Sequence, residues 1–194
     1  MFFKNKNERI LSEVINRNYA VIYFKPDGTV IKANEVFLKT MGYSLEEVVG
    51  KHHSMFCEEK FTKTQEYKDG WNDVREGKTL TAEFQRVKKD KSLIFLRASY
   101  MPVIENGKVL EVIKLAQDIT KNRLKNLFFI GQVKAINKSN AVIEFDMNGN
   151  ILNANDNFLN TLGYKKDDIV GKHHSMFCEE NYKNSNEYKE FWKN

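Results

Sequence analysis

Two histidines and a cysteine stand together in the octet Gly50-Lys51-His52-His53-Ser54-Met55-Phe56-Cys57, and the same eight residues recur from Gly171 to Cys178. Imidazole and thiolate can ligate a transition metal, and a thiolate can carry redox chemistry. If the stretch is helical, His53 and Cys57 share a face, whereas the adjacent His52 and His53 cannot point the same way. One imidazole and one thiolate fall short of the four ligands of a structural zinc, and Glu58 and Glu59 complete a soft site poorly. No metal site is therefore expected. A haem needs only one axial histidine, which makes His53 a candidate ligand. Cys57 would be reactive if a neighbouring imidazolium lowered its pKa; the alternative is a buried, inert thiol. A phosphate loop, a Ser-His-Asp or Cys-His arrangement in separate segments, and a carboxylate pair at a plausible site are all missing, so an enzyme is not expected.

The octet belongs to something larger. Sliding the chain on itself by about 120 residues aligns about half of the overlapping positions. Ala20-Val21-Ile22-Tyr23-Phe24 meets Ala141-Val142-Ile143-Glu144-Phe145, and Asn34 meets Asn155. Gly42-Tyr43 meets Gly163-Tyr164, and Trp71 meets Trp192. A domain has been duplicated. The second copy stops two residues after Trp192, whereas the first continues through about 50 residues that hold its best strands. The chain is thus expected to carry a whole module and the front half of another, cut from a longer protein.

The elements that would position the octet are readable. Residues 3 to 17 place Ile10, Leu11, Val14 and Ile15 on one helical face. Ala20 to Phe24 and Thr29 to Ala33 are strands joined by a tight Asp27-Gly28 hairpin with positive φ at both residues. Asn34 caps a helix that Gly42 ends, and Ser44-Leu45-Glu46-Glu47 signals a capping box. A longer helix runs from about Thr64 to Glu76, closed by Gly77. Leu80 to Val87, Leu93 to Ile104 and Val109 to Ile119 are strands, the last two joined by a type I′ turn at Asn106-Gly107. Such a sheet buries one face against the helices, an α+β domain. Thr120 to Ser139 reads as a helix with Leu124, Leu127, Phe128 and Ile136 on one side. It and the leading helix either pair with a second subunit, giving a homodimer, or pack on their own domain.

At 194 residues with 41% hydrophobic and 29% charged side chains, the chain can build a core and a polar surface. No apolar run is long enough to span a bilayer, and Met1 to Lys6 lacks a secretory pattern, so the chain reads as cytoplasmic. The formal charge of +5 comes from lysines scattered among acids, without a basic stripe, which argues against nucleic acid. The two cysteines are the repeated pair, so no disulfide framework is expected.

The ordered set Asn34 to Phe37, Gly42-Tyr43, Gly50 to His53, Trp71, Ala98 to Val103 and Asp118 to Thr120 resembles the PAS sensory domain. The variant is similar to the tandem PAS domains of bacterial chemoreceptors of the aerotaxis and biofilm-dispersion kind. The resemblance covers residues 8 to 120 fully and 130 to 194 as a front half. It implies a PAS fold, a five-stranded antiparallel sheet with short helices on one face and a pocket between. It divides the chain into an N-terminal helix (1–18), a complete domain (19–120), a helical connector (121–139) and a truncated second domain (140–194). Aerotaxis-type domains bind FAD, and by that likeness Asn34, His53 and Trp71 are the cofactor-binding candidates. However, the Arg-His-Pro-Asp run of the aerotaxis pattern is replaced here by Cys57-Glu58-Glu59-Lys60. Haem and a colourless small-molecule ligand remain open, as does a ligand-free dimerisation scaffold. Trp71 is equally readable as a core anchor. The implied function is sensory input, relayed through the exit helix to a chemoreceptor signalling domain, or to a histidine kinase or diguanylate cyclase.

Overall fold

The structure is a computed structural model that describes residues 6–192. The expected helix start at residues 3–5 lies outside the described residues. Two compact units divide between Leu124 and Lys125.

In the first unit, α1 (Lys6–Asn18) leads into β1 (Ala20–Phe24) and β2 (Val30–Ala33). Four short helices follow: α2 (Glu35–Met41), α3 (Leu45–Val48), α4 (Glu59–Thr62) and α5 (Gln65–Arg75). The octet lies between α3 and α4 and holds a 3-10 turn at His53–Phe56. Then come β3 (Leu80–Val87), β4 (Leu93–Glu105) and β5 (Lys108–Asp118). The five strands form one antiparallel sheet in the order β2-β1-β5-β4-β3. Because β1 and β5 sit in the middle, the N-terminal and C-terminal ends of the module are hydrogen-bonded neighbours, with Ala20 opposite Ala116.

Local chemistry accounts for these elements. Asn34 accepts from the Phe37 N–H as the N-cap of α2, and Gly42 ends that helix at φ 78°. Thr64 caps α5 through Tyr67 N–H, and Glu47 reaches back to Ser44 N–H at 2.9 Å. Asn106 (φ 50°) and Gly107 (φ 76°) give the expected type I′ turn. The β1–β2 connection differs from expectation. Only Gly28 takes positive φ, at 88°, and Gly28 N–H bonds to Lys25 O while Lys25 N–H bonds to Thr29 O. This is a longer loop with a bulge, in which Pro26 presets φ for a turn and Asp27 Oδ1 accepts from Thr29 N–H.

The sheet's inner face and the helices enclose the core, which includes Ile22, Phe24, Phe37, Met41, Phe56, and Leu96. The helices α1 and α6 (Thr120–Ser139) contribute no buried residue. Ile10, Leu11, Val14, Leu124, Leu127, Phe128 and Ile136 are all exposed, whereas Ile15 of the leading stripe is half-buried.

The second unit repeats the front of the first. β6 (Ile143–Phe145) pairs with β7 (Ile151–Ala154), followed by α7 (Asp156–Leu162), α8 (Lys166–Ile169), a 3-10 turn at His174–Phe177, α9 (Glu180–Lys183) and α10 (Asn186–Phe191). Its core is small, centred on Ile151, Ala154 and Ile169, and Met147 and Phe191 are exposed.

Candidate functional site

The octet is held by its backbone. Gly50 N–H bonds to Val30 O, Val30 N–H to Lys51 O, and His53 N–H to Gly28 O, all at 2.8–2.9 Å. Pinned in this way, the two histidines face opposite directions. His52 is exposed, accepts from Ser54 N–H at Nδ1 (3.2 Å) and donates from Nε2 to Asp27 O (3.0 Å). His53 turns inward and is 1% exposed.

There His53 becomes the middle of a chain of polar groups. Its Nδ1 lies 3.0 Å from Tyr67 Oη and its Nε2 2.9 Å from Tyr100 Oη. Arg86 Nη2 donates to the same Tyr100 oxygen at 3.3 Å. Lys114 approaches Tyr100 from β5, its Nζ 4.8 Å from the ring centroid. Cys57 Sγ is 3.8 Å from His53 Nδ1. Trp71 and Phe24 close edge-on around the imidazole, with centroids at 5.3 and 5.5 Å. Strands and helices thus supply different parts: β3 gives Arg86, β4 Tyr100, β5 Lys114, and α5 Tyr67 and Trp71.

Burial sets the protonation states. It pushes His53 well below the ordinary imidazole value, and the charges of Arg86, Lys114 and His52 push the same way. Burial raises Tyr67 to about 12, aided by Cys57. For Tyr100, burial alone would raise the pKa, but Lys114 and Arg86 outweigh it and hold the phenol below its ordinary value. Two cations beside Tyr100 favour one direction for the chain: Tyr67 O–H donates to His53 Nδ1, and His53 Nε2–H donates to Tyr100. Burial raises the Cys57 thiol, which agrees with the buried, inert alternative over a reactive thiolate.

The folded pKa of His53 lies below the unfolded value of about 6.5. The unfolded chain therefore binds the proton first, and stability is lost as pH falls from about 6.5 toward the folded pKa. Acidification from pH 7 to 5 should lower unfolding stability by up to about 1.4 kcal/mol per pH unit in the lower part of that range. His174, also lowered by burial, adds a part of the second unit's response. Urea unfolding at both pH values checks this; a His53→Gln variant that keeps the full slope of the parent would disprove the assignment.

Beside the cluster is a cavity of about 520 Å³, lined by His53, Tyr67, Trp71, Phe84, Arg86 and Tyr100. That volume lies within the usual range for small-molecule sites. Phe61, Val74, Leu80 and Ala82 extend its apolar wall, and Glu66, Asp69 and Asp73 also line it from α5. Of the three residues expected to hold a cofactor, His53 and Trp71 line this space. Asn34 does not. Its Oδ1 accepts from Val21 N–H (2.9 Å) and Phe37 N–H (2.8 Å), and its amide donates to Tyr19 O (2.8 Å) and Asn16 O (3.2 Å). All its hydrogen-bonding capacity goes to joining α1, β1 and α2, so it is a structural residue.

Sequence reasoning missed Tyr67, Tyr100, Arg86 and Lys114. Strand alternation carries the signal: Arg86 follows Leu80, Ala82 and Phe84 on one face of β3, and Lys114 sits between Val112 and Ala116 on one face of β5. A cation in register with core residues marks a site. Haem does not fit this arrangement, because both ring nitrogens of His53 are engaged by tyrosine hydroxyls. Among the described residues no group of three or more His, Cys, Asp or Glu side chains could hold a metal ion. No helix among them is long and apolar enough to cross a membrane.

The second unit reproduces the pattern in part. His174 Nδ1 lies 3.1 Å from Tyr188 Oη and 3.7 Å from Cys178 Sγ. His174 is only half-buried, since the described residues after β7 supply no further strands to cover it.

Comparison with known proteins places this geometry. The sequence profile of the PAS domain matches residues 18–121 and 139–194. The biofilm dispersion protein BdlA of Pseudomonas aeruginosa is 34% identical over 180 residues, covering 92% of this chain and 43% of BdlA. The chain thus spans less than half the length of that relative. Among solved structures, a PAS domain from Colwellia psychrerythraea superimposes with a TM-score of 0.52 at 19% identity, over 60% of this chain and 99% of that one. A light-oxygen-voltage domain studied with a flavin analogue gives 0.51 at 15% identity, over 65% of this chain and 96% of that one. At these identities the structures speak for the fold.

Proposed function

For a chain that belongs to the PAS domain family, we propose that residues 19–120 form a complete sensory input module that takes a small ligand or cofactor into the cavity beside His53. Residues 121–139 then form the connector, and residues 140–194 the front half of a second, tandem module. The observation that carries this reading is the buried chain Tyr67–His53–Tyr100–Arg86 at the wall of the cavity. It joins α5 to β3 and β4, and β4 is paired with β5 up to Asp118, two residues before α6 begins at Thr120. A ligand that binds the two arrangements of this chain unequally shifts their populations, and the shift passes to α6. The role is sensing, not catalysis.

The apolar lining also admits a flavin ring as an occupant. Trp71 and Phe84 offer apolar surface, and the Arg86 Nε donor faces no protein acceptor. When bound, a flavin would supply redox sensitivity. The likeness to BdlA favours a biofilm-dispersion or chemotaxis type of signalling, a cytoplasmic location and a chemoreceptor signalling domain as the reader. The exposed stripes of α1 and α6 favour a homodimer formed through these flanking helices.

Native mass spectrometry of the protein isolated from cells tests the reading, together with hydrogen exchange with and without FAD. The expected result is a bound small molecule released on denaturation, with altered protection in β5 and α6. A chain without added mass whose β5 and α6 protection is unmoved by FAD would overturn it.

A further inference from the structure

Arg86 and Lys114 are 3% and 2% exposed, and neither forms an ion pair with a carboxylate among the described residues. Burial lowers Lys114, and the Arg86 charge pushes the same way; the groups beside both cations are Tyr100 and Cys57, not carboxylates. Two buried cations a few ångströms from one phenol are expensive, because a buried charge requires a counter-charge. Aromatic faces soften that cost without neutralising it: Arg86 Cζ lies 4.7 Å from the Phe84 centroid and 5.5 Å from that of Phe61. Of the guanidinium donors, Nη1 is spent on Gln85 O (2.7 Å) and Nη2 on Tyr100 Oη. The third, Nε, is buried and has no partner. Arg86 also lines the cavity.

Resting on the reading of this cavity as a ligand site, we propose that its ligand is an organic carboxylate with an apolar or aromatic body. The carboxylate seats on the Nε edge of Arg86 and the body lies along Trp71, Phe84, Leu80 and Val74, while Lys114, outside the lining, adds its charge from beside Tyr100. The Nε/Nη2 edge of a guanidinium presents two donors spaced for the two oxygens of a carboxylate. Glu66 and Asp69 add negative charge to the lining, Asp73 being paired with Lys78, which favours a monoanion over a phosphate monoester at Arg86 itself. In the ligand's absence Tyr100 serves as the partial counter-charge, which agrees with its lowered pKa. The ligand therefore competes with Tyr100 for Arg86, and this couples the site to the His53 chain.

The test is calorimetric binding of 1-naphthaleneacetate and of its neutral amide to the full chain, with the Trp71 indole N–H resonance as the marker of location. The acid should bind at least about tenfold tighter, as hydrogen bonds to a charged group require. Arg86→Gln should bring the two affinities within about threefold while leaving the amide's affinity unchanged. If acid and amide bind equally at Trp71, the cavity stands as a ligand site and the carboxylate assignment falls. If neither binds nor shifts Trp71, the carboxylate assignment falls, and the ligand-site reading is decided by the bound mass and the FAD experiment. 1-Naphthyl phosphate binding tighter than the acid would also overturn the assignment. Lys114→Met, which should weaken acid binding selectively, provides the same comparison if Arg86→Gln does not fold.

Discussion

Trp71→Ala should destabilise the first unit by about 3–5 kcal/mol, the usual range for removing a large buried aromatic. Trp71 is 8% exposed and packs edge-on against Phe24, His53 and Tyr100, with centroids at 5.7, 5.3 and 6.2 Å. It touches the first strand, the octet and β4 together. Its removal opens the wall of the cavity as well as the core, so stability and ligand binding should fall together. The counterpart substitution Trp192→Ala should cost less than half as much. Trp192 packs against Phe145, His174 and Phe191, yet it is half-buried and no strand like β4 covers it among the described residues. Urea unfolding of the two variants, followed by circular dichroism, makes the comparison. Equal losses would show that β4 contributes little to the anchoring of Trp71.

Gly28→Ala should cost about 2–4 kcal/mol, an unusual penalty for one methyl group. A residue with a side chain at φ 88° carries about 1–3 kcal/mol of backbone strain. The new Cβ would also lie 2.7 Å from His52 Nε2 and 3.2 Å from Trp71 Cζ2. His52 must then release Asp27 O, which adds roughly 1 kcal/mol for the lost hydrogen bond. Gly50→Ala provides the control, since its φ of 76° imposes the strain but its Cβ meets nothing within 4 Å. Combining Gly28→Ala with His52→Ala should recover the steric part. A Gly28 variant no worse than the Gly50 variant would mean that His52 yields freely.

Much of the fold was legible because it is written in local signals. Asn34, Gly42, Thr64 and Asn106-Gly107 are capping and turn residues whose effects act within a few positions. β1, β3 and α6 therefore lie where the sequence puts them. The short helix α4 went unread: four residues carry no periodicity. The Asp27-Gly28 hairpin was misread because Pro26 and the side-chain bond from Asp27 select a longer loop than the dipeptide alone suggests. His53 and Trp71, named through the family resemblance, line the cavity. Asn34 caps its helix as expected and lies outside the cavity lining; a capping asparagine and a ligand-binding asparagine look alike until their partners are known. Tyr100, Arg86 and Lys114 come together only when β3, β4 and β5 are in register, a long-range property that spacing along the chain does not record.

The junction between sheet and exit helix has a geometric consequence. Ile119 N–H bonds to Phe95 O, Phe95 N–H to Thr120 Oγ1, and Thr120 N–H to Asp118 Oδ1. These three bonds clamp the first residue of α6 to the sheet with no free residue between. In the relay proposed above, α6 would act as a shaft keyed to the sheet. A shaft of 20 residues is about 30 Å long, and each residue added to it turns its far end by about 100°. On that proposal the length of α6 is a phase setting. Adding one residue would misalign whatever it drives by more than a quarter turn, whereas adding seven, close to two full turns, would nearly restore the alignment.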